Sequence, residues 1–242
     1  MDTPLRRTVR LLLDAVAPRD CLACDAPLPP GHADAVCAAC VETMHAPRAP
    51  LCPRCGIPLA AGRACPDCVR LPPAFRMARA AAVYRPSDAG LNPLARAVHG
   101  LKYAGRRPLA AALGRLLVER WPYADDVVLV PVPLHPARLR ARGYNQAALL
   151  ARVVARRRRL PLDVHALRRT RDTANQPGLG AVARRTNLAD AFAVPRPSRV
   201  VGRTIVLVDD VLTTGATADA CARALCAAGA AAVDVWAVGR VP

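Results

Sequence analysis

The sequence predicts an α/β fold, a parallel sheet with helices on both faces, preceded by a small module that metal holds together. Three observations carry this reading. Strand-like, largely apolar runs at 127–132, 204–208 and 233–238 alternate with helical stretches, the order expected of parallel strands joined by crossover helices. Eight of the ten cysteines lie between residues 21 and 68, as four Cys-x-x-Cys pairs. The run 204–208 leads into Asp209-Asp210 and then into a small, hydroxyl-rich turn at the start of a helix.

The 242 residues suit one ordinary domain plus a small one, or two small ones. A hydrophobic content of 53% excludes a disordered chain. No apolar run approaches the ~18 residues a membrane helix needs, so no membrane insertion is expected. Arg6, Arg7 and Arg10, followed by three leucines, imitate a signal peptide. Asp14 cuts that stretch short, so it reads as an amphipathic helix and the expected compartment is the cytoplasm. The net charge is +17, from 35 basic and 18 acidic residues, and 34 of the basic residues are arginine. A GC-rich coding bias explains part of that excess. A basic chain also favours anionic partners such as nucleic acid or phosphorylated metabolites.

The cysteine module comes first. The pairs are Cys21/Cys24, Cys37/Cys40, Cys52/Cys55 and Cys65/Cys68, with gaps of 12, 11 and 9 residues between them. Each Cys-x-x-Cys turn aims two sulfurs at one point, and two turns complete a tetrahedral thiolate site. Eight ligands therefore give two structural zinc sites. Short gaps favour sequential pairing, which makes two consecutive ribbons; the spacing also allows an interleaved cross-brace. A disulfide framework is disfavoured without an export signal, and four copies of a redox motif would need four reasons. The segment has few large apolar residues, so metal must supply its stability. Cys221 and Cys226, five positions apart and about 140° out of register on a helix, read as packing residues.

After Pro72-Pro73 the composition changes, which places the domain boundary there: 1–72 for the N-terminal helix and double ribbon, 73–242 for the α/β domain. Residues 80–84 read as a strand. Residues 94–99 and 109–120 read as helices, and 127–132 as a strand buried on both faces. Residues 145–158 read as a helix, 164–167 as a short strand, and 171–187 as a long polar loop. The run 204–208 is the next strand, 216–228 a helix stopped by Gly229, and 233–238 the last strand.

The chemistry concentrates at Asp209, Asp210, Val211, Leu212, Thr213, Thr214, Gly215, Ala216 and Thr217. Ligands of open α/β sheets bind at the carboxyl ends of strands. The turn 213–217 offers successive amides and three hydroxyls at a helix N-terminus, a setting for a phosphate. The two carboxylates beside it suit vicinal hydroxyls of a sugar carrying that phosphate. Lys102, the chain's single lysine, reads either as a phosphate contact or as chance. Tyr144 reads as packing or as a base-stacking ring, Asn145 and Gln146 as a helix cap or ligand contacts, and residues 156–159 as a solvated helix end or a polyanion contact.

The segment 208–215 resembles the phosphoribosyl-pyrophosphate (PRPP) motif of type I phosphoribosyltransferases. The wider pattern is similar to the ComF/GntX family of double zinc ribbon and phosphoribosyltransferase proteins. Its pieces are the cysteine array, Leu101-Lys102-Tyr103-Ala104-Gly105, Val130-Pro131-Val132-Pro133-Leu134, Arg142-Gly143-Tyr144-Asn145-Gln146, Gln176, Arg184-x-x-Asn187 and Ala191-Phe192. They occur in the family's order along nearly the whole chain. The resemblance implies a type I phosphoribosyltransferase-like parallel sheet with flanking helices behind the zinc ribbons. It assigns ribose contacts to Asp209 and Asp210 and the 5′-phosphate to residues 213–217. The loop after the strand 127–132 becomes the pyrophosphate loop, with Arg138, Arg140 and Arg142 as cations. Mg²⁺ would bridge pyrophosphate and ribose oxygens, and Gln176, Arg184 and Asn187 would sit on a loop closing over the ligand. The function expected is PRPP binding, with or without phosphoribosyl transfer, in DNA uptake or natural competence. The partners expected are single-stranded DNA and a competence helicase or other DNA-processing protein. The alternatives are a non-catalytic DNA- or PRPP-binding scaffold and a metabolic phosphoribosyltransferase unrelated to DNA.

Overall fold

The computed structural model describes residues 4–60, 65–85, 92–124, 126–172, 188 and 190–242. Helix α1 (Pro4–Val16) is tied to the first cysteine turns through Asp14. Its carboxylate accepts from Arg19 Nε (2.7 Å) and Nη2 (3.0 Å) and from the Gly31 amide (2.7 Å). Helices α2 (Ala38–Glu42) and α3 (Pro66–Arg70) each begin directly after a cysteine, Cys37 and Cys65.

The strands are β1 (Met77–Val83), β2 (Val128–Pro131), β3 (Arg168–Arg169), β4 (Phe192–Ala193), β5 (Thr204–Leu212) and β6 (Ala232–Arg240). The main sheet is parallel, in the order β1-β6-β5-β2, and β3 pairs with β4 antiparallel. The remaining helices are α4 (Pro93–Tyr103), α5 (Leu109–Glu119), α6 (Pro136–Arg142), α7 (Gln146–Arg158) and α8 (Ala216–Ala227). Side chains alternate along β5. Val206 and Val208 pack with Leu113, Leu117, Leu150 and Trp236, whereas Ile205 and Leu207 pack with Cys221, Ala222, Leu225 and Val235. Two covered faces explain why the strands read as continuous apolar runs in the sequence.

The zinc module covers β1, an edge strand of this sheet. Val83 N donates to His45 O (2.8 Å) and Ala78 N to Arg54 O (2.6 Å), so the backbone groups an edge leaves open meet the ribbons. Gly56 makes this approach possible. Its φ is +68°, and a Cβ there would stand 2.5 Å from the Ala78 carbonyl oxygen.

Four expectations are corrected. The strand at 164–167 is a turn, because Asp163 Oδ1 accepts from the His165 amide (2.9 Å) and bends the chain; the strand is Arg168–Arg169. The stretch after β2 contains helix α6, started by Pro136 at its first position and ended by Gly143 in the left-handed conformation. Strand β5 does not stop at Val208 but runs through the acidic pair to Leu212. Cys221 is buried as a packing residue, but Cys226 is exposed. Gln176, Arg184 and Asn187 lie outside the described residues. Among the described residues no helix is long and apolar enough to cross a membrane.

Candidate functional site

The eight cysteines form two clusters, Cys21/Cys24/Cys37/Cys40 and Cys52/Cys55/Cys65/Cys68, with the sulfurs of each within 4.8 Å of one another. The pairing is thus sequential. Sulfur separations of 3.9 Å (Cys21–Cys40), 3.8 Å (Cys24–Cys37) and 3.6 Å (Cys55–Cys65) match the ~3.8 Å that tetrahedral zinc–thiolate bonds of about 2.3 Å require. Backbone amides supply the second layer. Ala23 N and Cys37 N donate to Cys21 Sγ (3.4 and 3.3 Å), and Cys65 N donates to Cys52 Sγ (3.5 Å). Burial pushes these thiols up, but the amides outweigh it and bring Cys21 down to about 7 and Cys52 to about 6, toward the thiolate that zinc binds.

At the acidic pair, Asp210 is 3% exposed. Its Oδ1 lies 2.7 Å from Lys102 Nζ, whereas its Oδ2 is buried with no hydrogen-bond partner. Asp209, half-buried, turns Oδ1 back to the Asp210 amide (2.8 Å). Burial and the neighbouring Asp210 charge push the Asp209 carboxyl up to about 7, with Lys102, the Asp210 amide and Arg169 pulling against them. For Lys102, burial works against the ammonium, but Asp210 and Asp209 more than offset it and raise its pKa.

The turn follows directly. Val211 is still in β5, in register with Gly239. Thr213 and Thr214 are exposed, Gly215 and Ala216 buried, and Thr217 half-buried. Gly215 (φ +78°) is the residue from which α8 departs, a conformation that side chains with a Cβ resist. Thr214 Oγ1 accepts from the Ala216 amide (3.4 Å).

Lys102 also lines an open cleft of about 440 Å³ with Tyr103, Gly105, Arg138, Ala141, Arg142 and Tyr144. One lysine therefore links the acidic pair to the α6 arginines. Arg142 Nη1 donates to Gln146 Oε1 (2.5 Å), and its guanidinium stacks 5.3 Å from the Tyr103 ring centre. Arg138 Nε lies 3.2 Å from Asp172 Oδ1, and Arg140 is exposed. Tyr144 is a packing residue whose hydroxyl donates to Leu101 O. Asn145 caps α7, its Oδ1 accepting from Ala147 N (2.9 Å) and Ala148 N (3.3 Å), and its Nδ2 ties the cap to Val132 O (3.0 Å). Residues 156–159 end α7, with Arg156 and Arg157 exposed and Arg158 stacked 5.8 Å from the Trp121 ring centre.

Sequence reasoning missed two arginines. Arg169 on β3 is held 5.6 Å over the Phe192 ring, and its charge bears on Asp209. Arg240 at the end of β6 donates to the carbonyl of Thr213. Among 34 arginines neither stands out by type; the register of β6 on β5 brings Arg240 to the site, and Arg169 comes from the separate β3-β4 pair.

The chain is similar to several known proteins. The double zinc ribbon domain profile matches residues 12–69. The chain is 37% identical to the DNA utilization protein YhgH of Escherichia coli K12, covering 91% of this chain and 96% of that protein. It is 29% identical to competence protein ComFC of Bacillus subtilis, covering 81% and 80%. A solved glutamine PRPP amidotransferase of B. subtilis, complexed with ADP and GMP, aligns at TM-score 0.40 and 21% identity, over 58% of this chain and 30% of that one. A parallel sheet with flanking helices, fused to two four-cysteine ribbons and matched along most of its length by YhgH and ComFC, places the chain: it belongs to the ComF family.

Proposed function

We infer that this chain binds PRPP with Mg²⁺ at the 209–217 segment and acts in DNA uptake or natural competence. The observation that carries the reading is Asp210: one carboxylate oxygen is neutralised by Lys102 and the other is buried and unpartnered. A ribose hydroxyl or a hard cation is what such an oxygen lacks. Asp209 and Asp210 would hold the ribose and its magnesium, the 213–217 turn the 5′-phosphate, and Lys102, Arg138 and Arg142 the pyrophosphate side. Bound Mg²⁺ would neutralise pyrophosphate as it leaves. The chain's own part is to position the reactants and supply fixed positive charge. In a transfer, a nitrogen nucleophile bonds to the anomeric carbon as the bond to pyrophosphate breaks.

The experiment is to titrate PRPP with Mg²⁺ into the zinc-loaded chain and follow pyrophosphate release with a pool of bases and amines. Release that depends on an acceptor identifies a transferase. Tight binding without turnover identifies a PRPP-responsive scaffold. No binding removes the reading.

The DNA role rests on the names of the relatives, DNA utilization protein and competence protein, and on the +17 charge. Exposed Arg156 and Arg157 at the end of α7 suit a single strand's phosphates. Affinity for single-stranded DNA should then fall steeply with salt. Salt-independent or undetectable binding would leave only the PRPP reading. A competence helicase or other DNA-processing protein is the partner this role calls for, and the cytoplasm is its setting.

A further inference from the structure

The geometry points to Arg240 as a positioning residue that ties the second zinc knuckle to the phosphate turn, an inference that rests on the reading of that turn given above. Arg240 is 5% exposed and sits on β6 in register with Leu212 of β5. Its guanidinium serves two elements at once. Nε donates to Cys55 O (3.1 Å), and Nη2 lies 3.9 Å from Cys55 Sγ. Nη1 donates to Leu212 O (3.1 Å), to Val241 O (2.6 Å) and to Thr213 O. Leu212 is the last residue of β5 and Thr213 the first of the turn, so these carbonyls set the direction in which the next amides leave the sheet.

A buried guanidinium needs compensation, and among the described residues no carboxylate pairs with Arg240. The Cys52/Cys55/Cys65/Cys68 cluster answers that need. Four thiolates around one zinc ion carry excess negative charge, and donors near the sulfurs stabilise it. Arg240 is thus held at one end by the metal knuckle and holds the phosphate turn at the other. Phe75 packs beneath the same turn, with its ring 3.7 Å from where a Gly215 Cβ would stand. A compact ammonium lacks the fork that reaches both elements. The ribbon is in this sense a structural part of the ligand site, which gives a physical reason for the fusion of the two modules.

The test compares zinc-loaded, full-length wild type with Arg240→Met and Arg240→Lys. Zinc content, affinity for ribose 5-phosphate and for magnesium pyrophosphate, and amide hydrogen exchange over 213–217 are read for each. Both variants should keep two zinc ions and bind pyrophosphate as wild type does. Ribose 5-phosphate affinity should fall by about ten-fold or more in Arg240→Met, the scale of a lost charge-assisted hydrogen bond, with Arg240→Lys in between. Exchange over 213–217 should quicken in the same order. If Arg240→Met does not fold, Arg240→Lys decides alone. Equal loss of both ligands, or unchanged exchange at the turn, overturns the inference. A wild type that binds no ribose 5-phosphate would sink the phosphate reading instead, and exchange at 213–217 would still decide the role of Arg240.

Discussion

Lys102 Nζ lies 2.7 Å from Asp210 Oδ1, joining α4 to the strand that carries the acidic pair. In a chain with 34 arginines this position holds the only lysine, and the contact gives a physical reason. A guanidinium fork would take both carboxylate oxygens, whereas an ammonium takes one. Asp210 Oδ2 stays buried and without a hydrogen-bond partner, an acceptor whose demand is left unmet.

Lys102→Met and Lys102→Arg therefore separate two roles of this residue. Lys102→Met leaves the Asp210 carboxylate buried and unpaired and should cost about 3 kcal/mol of stability in denaturant unfolding. Lys102→Arg should stay folded yet lose PRPP affinity, because the fork takes up the unpartnered oxygen. A Lys102→Arg protein that binds PRPP as well as wild type contradicts this account.

Asp209 makes stability depend on pH in a definite direction. Its carboxyl is at 3.8 when unperturbed and at about 7 in the folded chain, so the folded state holds a proton that the unfolded state has released. This group's contribution is fully present below about 4 and is lost as pH rises through 7. Asp209→Asn removes the dependence, so its stability relative to wild type should grow between pH 5 and pH 8. Unfolding curves for the two proteins that stay parallel across that range would rule the mechanism out.

Much of the fold was legible in the residues. The runs 127–132, 204–208 and 233–238 read as strands because burial on both faces leaves them almost wholly apolar; the buried exception, Asp234, is paired with Arg76. The cysteine spacing carries the two sites, and the short gaps favour the sequential pairing that the two clusters show. Helix α6 was obscured because Arg138, Arg140 and Arg142 fall at every second position and mask a seven-residue helix; its Pro136 and Gly143 were the usable signals. Within the site, Asp209, Asp210 and the 213–217 turn are contiguous and could be read directly. Lys102, Arg169 and Arg240 reach it from α4, β3 and β6, and no local pattern carries such tertiary contacts.

Strong chelation should unfold the ribbon region, since structural zinc contributes on the order of 10–16 kcal/mol in model peptides and the segment has little core of its own. Because Val83 N and Ala78 N donate to His45 O and Arg54 O, amide exchange along β1 should quicken as the metal leaves. Unchanged exchange in both regions after verified zinc removal would refute the metal-held module.

Gly56→Ala tests the packing of the second ribbon on the sheet. The left-handed φ of +68° and a Cβ 2.5 Å from Ala78 O combine a strained conformation, about 1–2 kcal/mol, with a backbone clash. Melting should drop by several degrees, with β1 losing protection first. A variant as stable as wild type would mean the ribbon and β1 are not in this contact.

The most direct measurement is calorimetric titration of PRPP with Mg²⁺ into the zinc-loaded chain and into Asp209→Asn/Asp210→Asn. The account predicts saturable binding to the wild type and none to the double variant, with both proteins folded and carrying two zinc ions. Binding that survives the double substitution would contradict the placement of the ribose site at Asp209 and Asp210.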